Sequence, residues 1–353
     1  MGLVLSFIPL AFTSCFRFAV TLKMEEKTDS PTTLISAKPF DKIDEPNDGS
    51  RHLTGWRLAL VTISLALGMF LTGVDASIIG VATPGITTSF QAIDDPAWYG
   101  SGYMLPHTAL QPILGSFFKS FNVRYVYLVS IIIFEAGSIL CAAAPTSTAF
   151  IFGRVIAGCG AAGILQGTLT IVGYSVPKKQ VPLYYGYVLS VQGISACTSP
   201  IIGGIFTDRV NWRWCFWINI PIGAVALLMV LLLVKPKTSH EALRSLPALE
   251  RLKQLDWIGT FIFLAAFTCL FLALHWSGQT KPWDSSEVIG LFGGFVALFC
   301  AFAATQQWTG EKSLLPRRIL KQRTVLFGTM YLILFGLQMV VVSTSHLTAI
   351  TSG

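Results

Sequence analysis

Charged residues are scarce in this chain. Only 12% of its 353 residues are charged, about half the share usual in a soluble domain, whereas 53% are hydrophobic. The apolar residues are gathered in blocks of roughly 20, the length that a helix needs to cross a hydrocarbon core of about 30 Å. The shortage of charge therefore argues against a soluble protein, and the series of apolar blocks predicts an all-α membrane protein with several spans.

Several kinds of site are also missing from the sequence. The seven cysteines show no metal-ligand spacing, so we interpret them as small apolar side chains and expect neither a metal nor another cofactor. No nucleotide-binding loop is present, which argues against direct coupling to ATP. An integral-membrane enzyme would need a cluster of metal ligands or a nucleophile within its spans, and the sequence shows no such cluster. The net charge of +7 comes from Lys and Arg in short gaps between apolar blocks, which indicates membrane topology rather than nucleic-acid binding.

The first 55 residues differ from the rest of the chain. An apolar stretch over 1–23 is followed by a polar, acidic segment, for which we predict a disordered cytosolic tail. We expect Met24 to be the true start. A signal-like or anchoring segment over 1–23 and a myristoylation site at Gly2 are the alternatives.

Nine apolar blocks predict nine transmembrane helices. They lie near 58–82, 98–118, 125–144, 148–173, 183–206, 214–234, 257–276, 287–305 and 324–345. In the loops, 16 Lys and Arg residues lie on the side of the N-terminal tail, and only Arg209, Arg213 and Lys281 lie on the other side. Because basic residues accumulate in cytosolic loops, we predict a cytosolic N-terminus.

Three ionisable residues lie inside predicted spans: Asp75 in the first, Glu135 in the third and Arg154 in the fourth. A charge at membrane depth costs several kcal/mol unless it faces a polar cavity or a partner, so all three are candidates for proton coupling. The alternatives are a capping or snorkelling role for Asp75, packing against a polar neighbour for Glu135, and outward snorkelling for Arg154.

Other features of the spans predict packing and a cavity. Small residues recur every four positions at 153, 157 and 161, and again at 163 and 167, which predicts close helix contacts. The candidates for lining a substrate cavity are Tyr103, His107, Gln111, Gln166 and Gln192. For Tyr103 and His107 the alternatives are packing and hydrogen bonding within the core.

The order of several motifs between about Trp56 and Val234 resembles the fungal drug:proton antiporters with fourteen spans, a branch of the major facilitator superfamily. The first span resembles the family's Asp-x-Thr-Ile signature at Asp75, with Ser77 in place of Thr. The fourth resembles its Arg-x-x-x-Gly-x-Gly motif at Arg154, and this match assigns that arginine to proton coupling.

Two further motifs support the resemblance. In the fifth span, Gly193, Ser199, Pro200, Gly203 and Gly204 resemble the antiporter motif Gly-Pro-x-x-Gly-Gly, with Ser199 in place of a glycine. Because Ala196, Pro200 and Gly204 share a helix face, we expect a kinked helix that packs closely there. Gly115, Lys119 and Arg124 stand in the superfamily's gating loop, with Lys119 at its acidic position; topology charges are the alternative reading of Lys119 and Arg124.

The resemblance implies a division of the chain. It predicts a six-helix domain over 56–234, a cytosolic loop over 235–256, two linker helices over 257–305, and a loop with one helix of an incomplete second domain over 306–353. Because the ninth span departs from the family pattern near its end, we expect a truncated gene model or an unremoved intron.

The resemblance also implies a function. It predicts proton-coupled efflux of hydrophobic small molecules by alternating access of two six-helix halves. The expected form is a monomer in the plasma membrane, with substrate, protons and the lipid bilayer as partners and no nucleic acid. The alternatives are a proton-coupled uptake symporter for a nutrient or siderophore, a non-transporting membrane fragment, and a receptor or scaffold. The antiporter-like motif disfavours uptake, and the ionisable residues inside spans disfavour a scaffold.

Overall fold

A computed structural model describes residues 55–92, 95–234, 256–277 and 282–309, with a few positions between 327 and 334. The predicted tail before Gly55, the loop between 234 and 256, and nearly all of the predicted ninth span lie outside the described residues.

Ten helices form the described part of the chain. They are α1 (Trp56–Phe90), α2 (Pro96–Ala109), α3 (Gln111–Ser120), α4 (Val123–Ala143), α5 (Ser147–Ser175), α6 (Val181–Arg209), α7 (Trp214–Trp217), α8 (Asn219–Leu233), α9 (Trp257–Trp276) and α10 (Ser286–Thr309). Seven segments are long and apolar enough to cross a bilayer: α1, α4, α5, α6, the stretch Trp214–Leu233, and most of α9 and α10. The predicted all-α transmembrane fold is confirmed.

The second predicted span is divided at Leu110 into α2 and α3. Pro106 and Pro112 flank this division. Because proline has no N–H, each removes one helical hydrogen bond, and the two losses fall on either side of Leu110. The carbonyl of Pro106 still accepts a hydrogen bond from the Leu110 N–H (3.0 Å), so the two helices follow one another without a long loop.

Helices α4 and α5 pack backbone against backbone. A Cβ added at Gly137 would overlap the main chain of Ala157, and one added at Gly160 would overlap the main chain of Phe134. A Cβ added at Gly153 would likewise overlap Cys141 of α4. Small residues at these positions let the helices approach until only hydrogen atoms separate them. The predicted close contact through 153 and 157 is therefore present, and its partner is α4.

Helix α6 packs on α1 through a different stripe from the predicted one. The buried positions of α6 are Val188, Ser195, Ser199 and Gly203, whereas Ala196 and Pro200 are exposed. Helical spacing places Ser195, Ser199 and Gly203 on one face, and a Cβ added at Gly203 would touch Ile78 of α1 at 3.0 Å. In the described part of the chain, α6 therefore packs on α1 through Ser195, Ser199 and Gly203, one residue before the predicted Ala196, Pro200 and Gly204.

Arginines connect both ends of α4 to the segment that contains α7 and α8. At one end, Arg124 donates from Nη2 to the carbonyl of Leu231 in the last turn of α8. At the other, Arg213 donates from Nη1 to the carbonyl of Ala142 near the end of α4 (2.8 Å). Carbonyls in a last helical turn lack intrahelical donors, and a cation there also complements the helix dipole.

The helices α9 and α10 form an aromatic pair. Phe263 of α9 packs against Phe302 of α10 in a tilted arrangement with 5.2 Å between ring centroids, and Phe267 lies against Phe295 at 6.5 Å. Asp256 caps α9 by accepting from the Gly259 N–H (2.8 Å), and it also accepts from Gln306 Nε2 (2.7 Å). Trp257 of this pair packs against Phe117 of α3.

Candidate functional site

A buried ion pair lies near the middle of the 35-residue helix α1. Arg154 of α5 donates from Nη1 to Asp75 Oδ2 at 2.6 Å, and both residues have 0% exposed surface. The guanidinium also donates from Nε to the carbonyl of Tyr99 (3.0 Å) and from Nη2 to the carbonyl of Asp75 (3.5 Å). Both side chains therefore point into the helix bundle rather than outward.

The surroundings of the pair explain how two charges are held away from water. Burying an ion costs several kcal/mol, and this cost is offset only by a close partner with further hydrogen bonds. Asp75 has a second donor in Asn219 of α8, whose Nδ2 lies 3.4 Å from Oδ1. The ring of Tyr103 adds a cation–π contact, with its centroid 4.4 Å from Arg154 Cζ.

The polar contacts continue from Asp75 to α4. Asn219 Nδ2 also lies 3.3 Å from Ser138 Oγ, while its Oδ1 is buried and accepts no hydrogen bond from the described protein. Sequence reasoning missed both residues. Asn219 could have been found as an amide at the start of an apolar helix, whereas a serine such as Ser138 carries no comparable signal.

Glu135 lies one helical turn before Ser138 on α4. Its carboxylate contacts α8 at Gly223, where an added Cβ would overlap Oε1. Both carboxylate oxygens are buried, and no group of the described protein donates to either. Gly223 follows Asn219 by one turn of α8. Glu135 therefore contacts α8 one turn away from the residue that binds Asp75.

Tyr103 stands between the ion pair and a small cavity. Besides covering Arg154, it donates from its hydroxyl to the carbonyl of Thr72 on α1 (3.2 Å). His107 stacks on its ring with 5.8 Å between centroids and 9° between planes. The cavity has a volume of about 290 Å³, and its lining residues are Thr72, Gly73, Ala76, Ser77, Tyr103, Met104, His107 and Gln192.

Three of the five predicted cavity residues line this cavity, and the other two do not. Tyr103, His107 and Gln192 line this cavity. Gln111 lies behind it, with Nε2 3.4 Å from His107 Nε2. Gln166 is elsewhere, packed against Gly115 between α5 and α3, where an added Cβ would lie 3.1 Å from its Nε2.

The residues of the other two predicted motifs lie apart from the ion pair, with one exception. In the loop motif, Lys119 is exposed and Arg124 binds the end of α8. In the α6 motif, Gly193 and Gly204 have no neighbouring atom where a Cβ would be added, and Pro200 is exposed. Ser199 is the exception, because its hydroxyl lies 3.4 Å from the carbonyl of Val74, the residue before Asp75.

Two carboxylates and one guanidinium lie within the helix bundle, where the gain or loss of one proton would change the interior charge with less screening than in bulk water. Among the residues that the structure describes, no group of three His, Cys, Asp or Glu side chains is placed to hold a metal ion.

Comparison with known proteins gives the family. Residues 65–352 match the Major Facilitator Superfamily. The chain is 42% identical over 313 residues to the MFS-type efflux pump MFS1 of Arthroderma benhamiae, with 88% of this chain and 58% of the relative covered. It is 38% identical over 300 residues to the efflux pump aflT of Aspergillus parasiticus, with 85% and 58% covered. The chain thus spans little more than half the length of these curated relatives.

A solved structure is also similar. The crystal structure of the human organic anion transporter MFSD10 (TETRAN) matches with a TM-score of 0.46 and 16% identity, covering 67% of this chain and 60% of that one. The family match includes Asp75, Glu135, Arg154 and Asn219, and it extends over most of the chain. This chain is therefore an integral multi-pass membrane protein that belongs to the Major Facilitator Superfamily, a superfamily of transporters rather than enzymes.

Proposed function

We propose that the whole protein exports hydrophobic small molecules, such as drugs, toxins or secondary metabolites, in exchange for protons. The observation that supports proton coupling is the buried pair of Asp75 and Arg154, with the carboxylate of Glu135 close by. Export is supported by the two relatives described above, both of which are named as efflux pumps. The resemblance of the α6 motif to that of antiporters supports exchange rather than symport.

The proposed cycle uses the change in charge. A carboxylate, Asp75 or Glu135, takes a proton from the outside as the substrate leaves, and it releases the proton to the cytosol when the transporter reopens inward. Arg154 adjusts the proton affinity of that carboxylate, because a guanidinium favours the ionised form of a partner. Protonation of Asp75 would weaken the attraction between α1 and α5, whereas protonation of Glu135 would remove a charge from α4. We expect such a change of charge to bias the rocking of the two halves.

We place the substrate route at the cavity beside Tyr103. Its wall combines apolar surface from Met104 and Ala76 with polar groups from His107 and Gln192. Such a mixture suits a hydrophobic compound that carries one or two polar groups. Gln111 supports the cavity from behind through His107, and the place of Gln166 between α3 and α5 favours a structural role for it.

The architecture that we propose for the whole protein has fourteen spans. This chain contributes the six-helix domain over 56–234, the linker helices over 257–305 and the start of the second domain over 306–353. We place the protein in the plasma membrane as a monomer, with its N-terminus and the loop over 235–256 in the cytosol. The α6 residues Gly193, Pro200 and Gly204 are available to the second domain, since Gly193 and Pro200 are exposed and no atom lies within 4 Å of a Cβ added at Gly204. Lys119 and Arg124 belong to the inner gating loop.

The test is export by the full-length protein in a drug-sensitive yeast. We expect wild type to raise drug tolerance and lower dye retention, and Asp75→Asn and Arg154→Ala to abolish both effects at equal surface expression. Matched controls are Asp208→Asn and Arg209→Ala, which change exposed charges at the end of α6 and are expected to export normally. Undiminished export by both ion-pair variants would reject the coupling role, and dye accumulation above that of the empty strain would indicate uptake.

A further inference from the structure

The charges inside the bundle do not balance if every acid is ionised. The fully buried ionisable side chains of α1 to α8 are Asp75 and Arg154, which form the ion pair, and Tyr99, Tyr103, Tyr127, Cys141 and Cys215, which are neutral at physiological pH. Among the described residues, Arg154 is the only buried Lys or Arg. One guanidinium can therefore neutralise one carboxylate, and Asp75 already holds it at 2.6 Å.

The two carboxylates differ in what they contact. Asp75 has a guanidinium on one oxygen and the amide of Asn219 on the other. Glu135 has no donor on either oxygen, although both are buried. An ionised carboxylate without donors is far more costly to bury than a neutral carboxyl group. The contacts of Asp75 thus favour a carboxylate that stays ionised, whereas those of Glu135 favour one that binds and releases a proton.

The packing of Glu135 provides a defined place for that carboxyl group. Gly223 leaves a slot against the α8 backbone, and any larger residue would overlap Oε1. One turn along α8, Asn219 contacts both Asp75 and Ser138. Its Oδ1 has no donor among the described residues, so it is an acceptor available to a protonated neighbour. A movement of the ion pair can therefore be transmitted to Glu135 through the turns of α8 that contain Asn219 and Gly223.

We propose that Glu135 carries the transported proton, that Asp75 stays the fixed partner of Arg154, and that Asn219 is the positioning residue between them. The inference rests on the proton-coupled export proposed above. In each cycle the Glu135 carboxylate accepts a proton from the outer solution to form the neutral carboxyl group, and later returns that proton to the inner solution. The Asp75–Arg154 pair keeps its charge throughout.

The test uses the full-length protein in proteoliposomes, with a fluorescent dye that wild type exports as the probe. Glu135→Gln resembles the protonated form, so we expect it to keep dye exchange between equal pools but to lose dye transport driven by a pH gradient. Gly223→Ala should weaken gradient-driven transport by displacing the carboxyl group. Gly186→Ala is the matched control, because nothing lies within 4 Å of a Cβ added there, and it should behave as wild type.

Infrared difference spectra on changing pH separate the two acids directly. The protonated-carboxyl band should vanish in Glu135→Gln and persist in Asp75→Asn, or in Asp75→Asn/Arg154→Gln if the single variant does not fold. Gradient-driven transport that survives in Glu135→Gln, or a band that is lost with Asp75 instead, overturns the inference. A wild type that does not respond to the pH gradient is a different result, and it would count against proton coupling itself.

Discussion

The bundle formed by α1, α4 and α5 and the pair formed by α9 and α10 are both apolar, but they pack by opposite means. In the bundle, glycines such as Gly137 and Gly160 bring backbones into contact, and the helices enclose the buried Asp75 and Arg154. In the pair, phenylalanines such as Phe263 and Phe302 fill the gap between the helices. Close backbone packing therefore coincides with the buried charges.

This difference has a physical reason. In lipid there is little hydrophobic gain from bringing two apolar helices together, so association depends on close contact and on polar bonds. A fixed ion pair needs partners whose positions are set within a fraction of an ångström, and backbone contact through glycine supplies that rigidity. The α9–α10 pair holds no such ion pair among the described residues, and its contact consists of phenylalanine side chains.

The largest expected effect comes from leaving a charge alone inside the bundle. Arg154→Ala should destabilise the protein by about 3–5 kcal/mol, because it leaves Asp75 buried without its cation. Thermal unfolding of the full-length protein in detergent measures this. The double variant Asp75→Leu/Arg154→Met removes both charges and should recover most of the loss. An equal loss in the single and double variants would mean that packing, rather than charge, is responsible.

An intermediate effect is expected from adding one methyl group to the backbone contact. Gly160→Ala should cost about 1–3 kcal/mol, because its Cβ would overlap the main chain of Phe134 and force α4 and α5 apart. Gly293→Ala in α10 is the matched change, since no atom lies within 4 Å of its added Cβ, and it should leave the unfolding temperature unchanged or slightly higher. Similar losses in both variants would contradict the comparison.

The smallest effect is expected within the aromatic pair. A double-mutant cycle with Phe263→Leu and Phe302→Leu should give a coupling free energy of about 0.5–1.5 kcal/mol, the usual worth of one aromatic contact. Export should change little, because neither ring lines the cavity or bonds to the ion pair. A coupling free energy as large as the loss of stability in Arg154→Ala would contradict the comparison, because the aromatic contact would then stabilise the protein as much as the ion pair does.

Much of the fold was predictable from the sequence because spans are long and apolar. Motif spacing also singled out Asp75 and Arg154, but not their pairing, since 79 residues separate them along the chain. The division at Leu110 had a visible signal in Pro106 and Pro112, which we read as part of one span. The packed face of α6 was predicted one residue out of place, because small residues occur on two adjacent faces of that helix.

The site was only partly predictable, because side-chain partners depend on which helices meet. Tyr103, His107 and Gln192 were placed in a cavity by their polarity, and the structure groups them there. By the same reasoning Gln166 was included, but it lies against Gly115. Asn219 was missed, because its contacts with Asp75 and Ser138 exist only where α8 meets α1 and α4.

The most direct measurement of the central claim is the direction in which protons move when substrate moves. The full-length protein would be placed in proteoliposomes with an outward gradient of an exported dye, no pH gradient and no membrane potential, and the internal pH would be followed. We predict that the interior becomes acidic as dye leaves, because protons enter in exchange. An interior that becomes alkaline, or an internal pH that does not respond to the dye, would contradict the account.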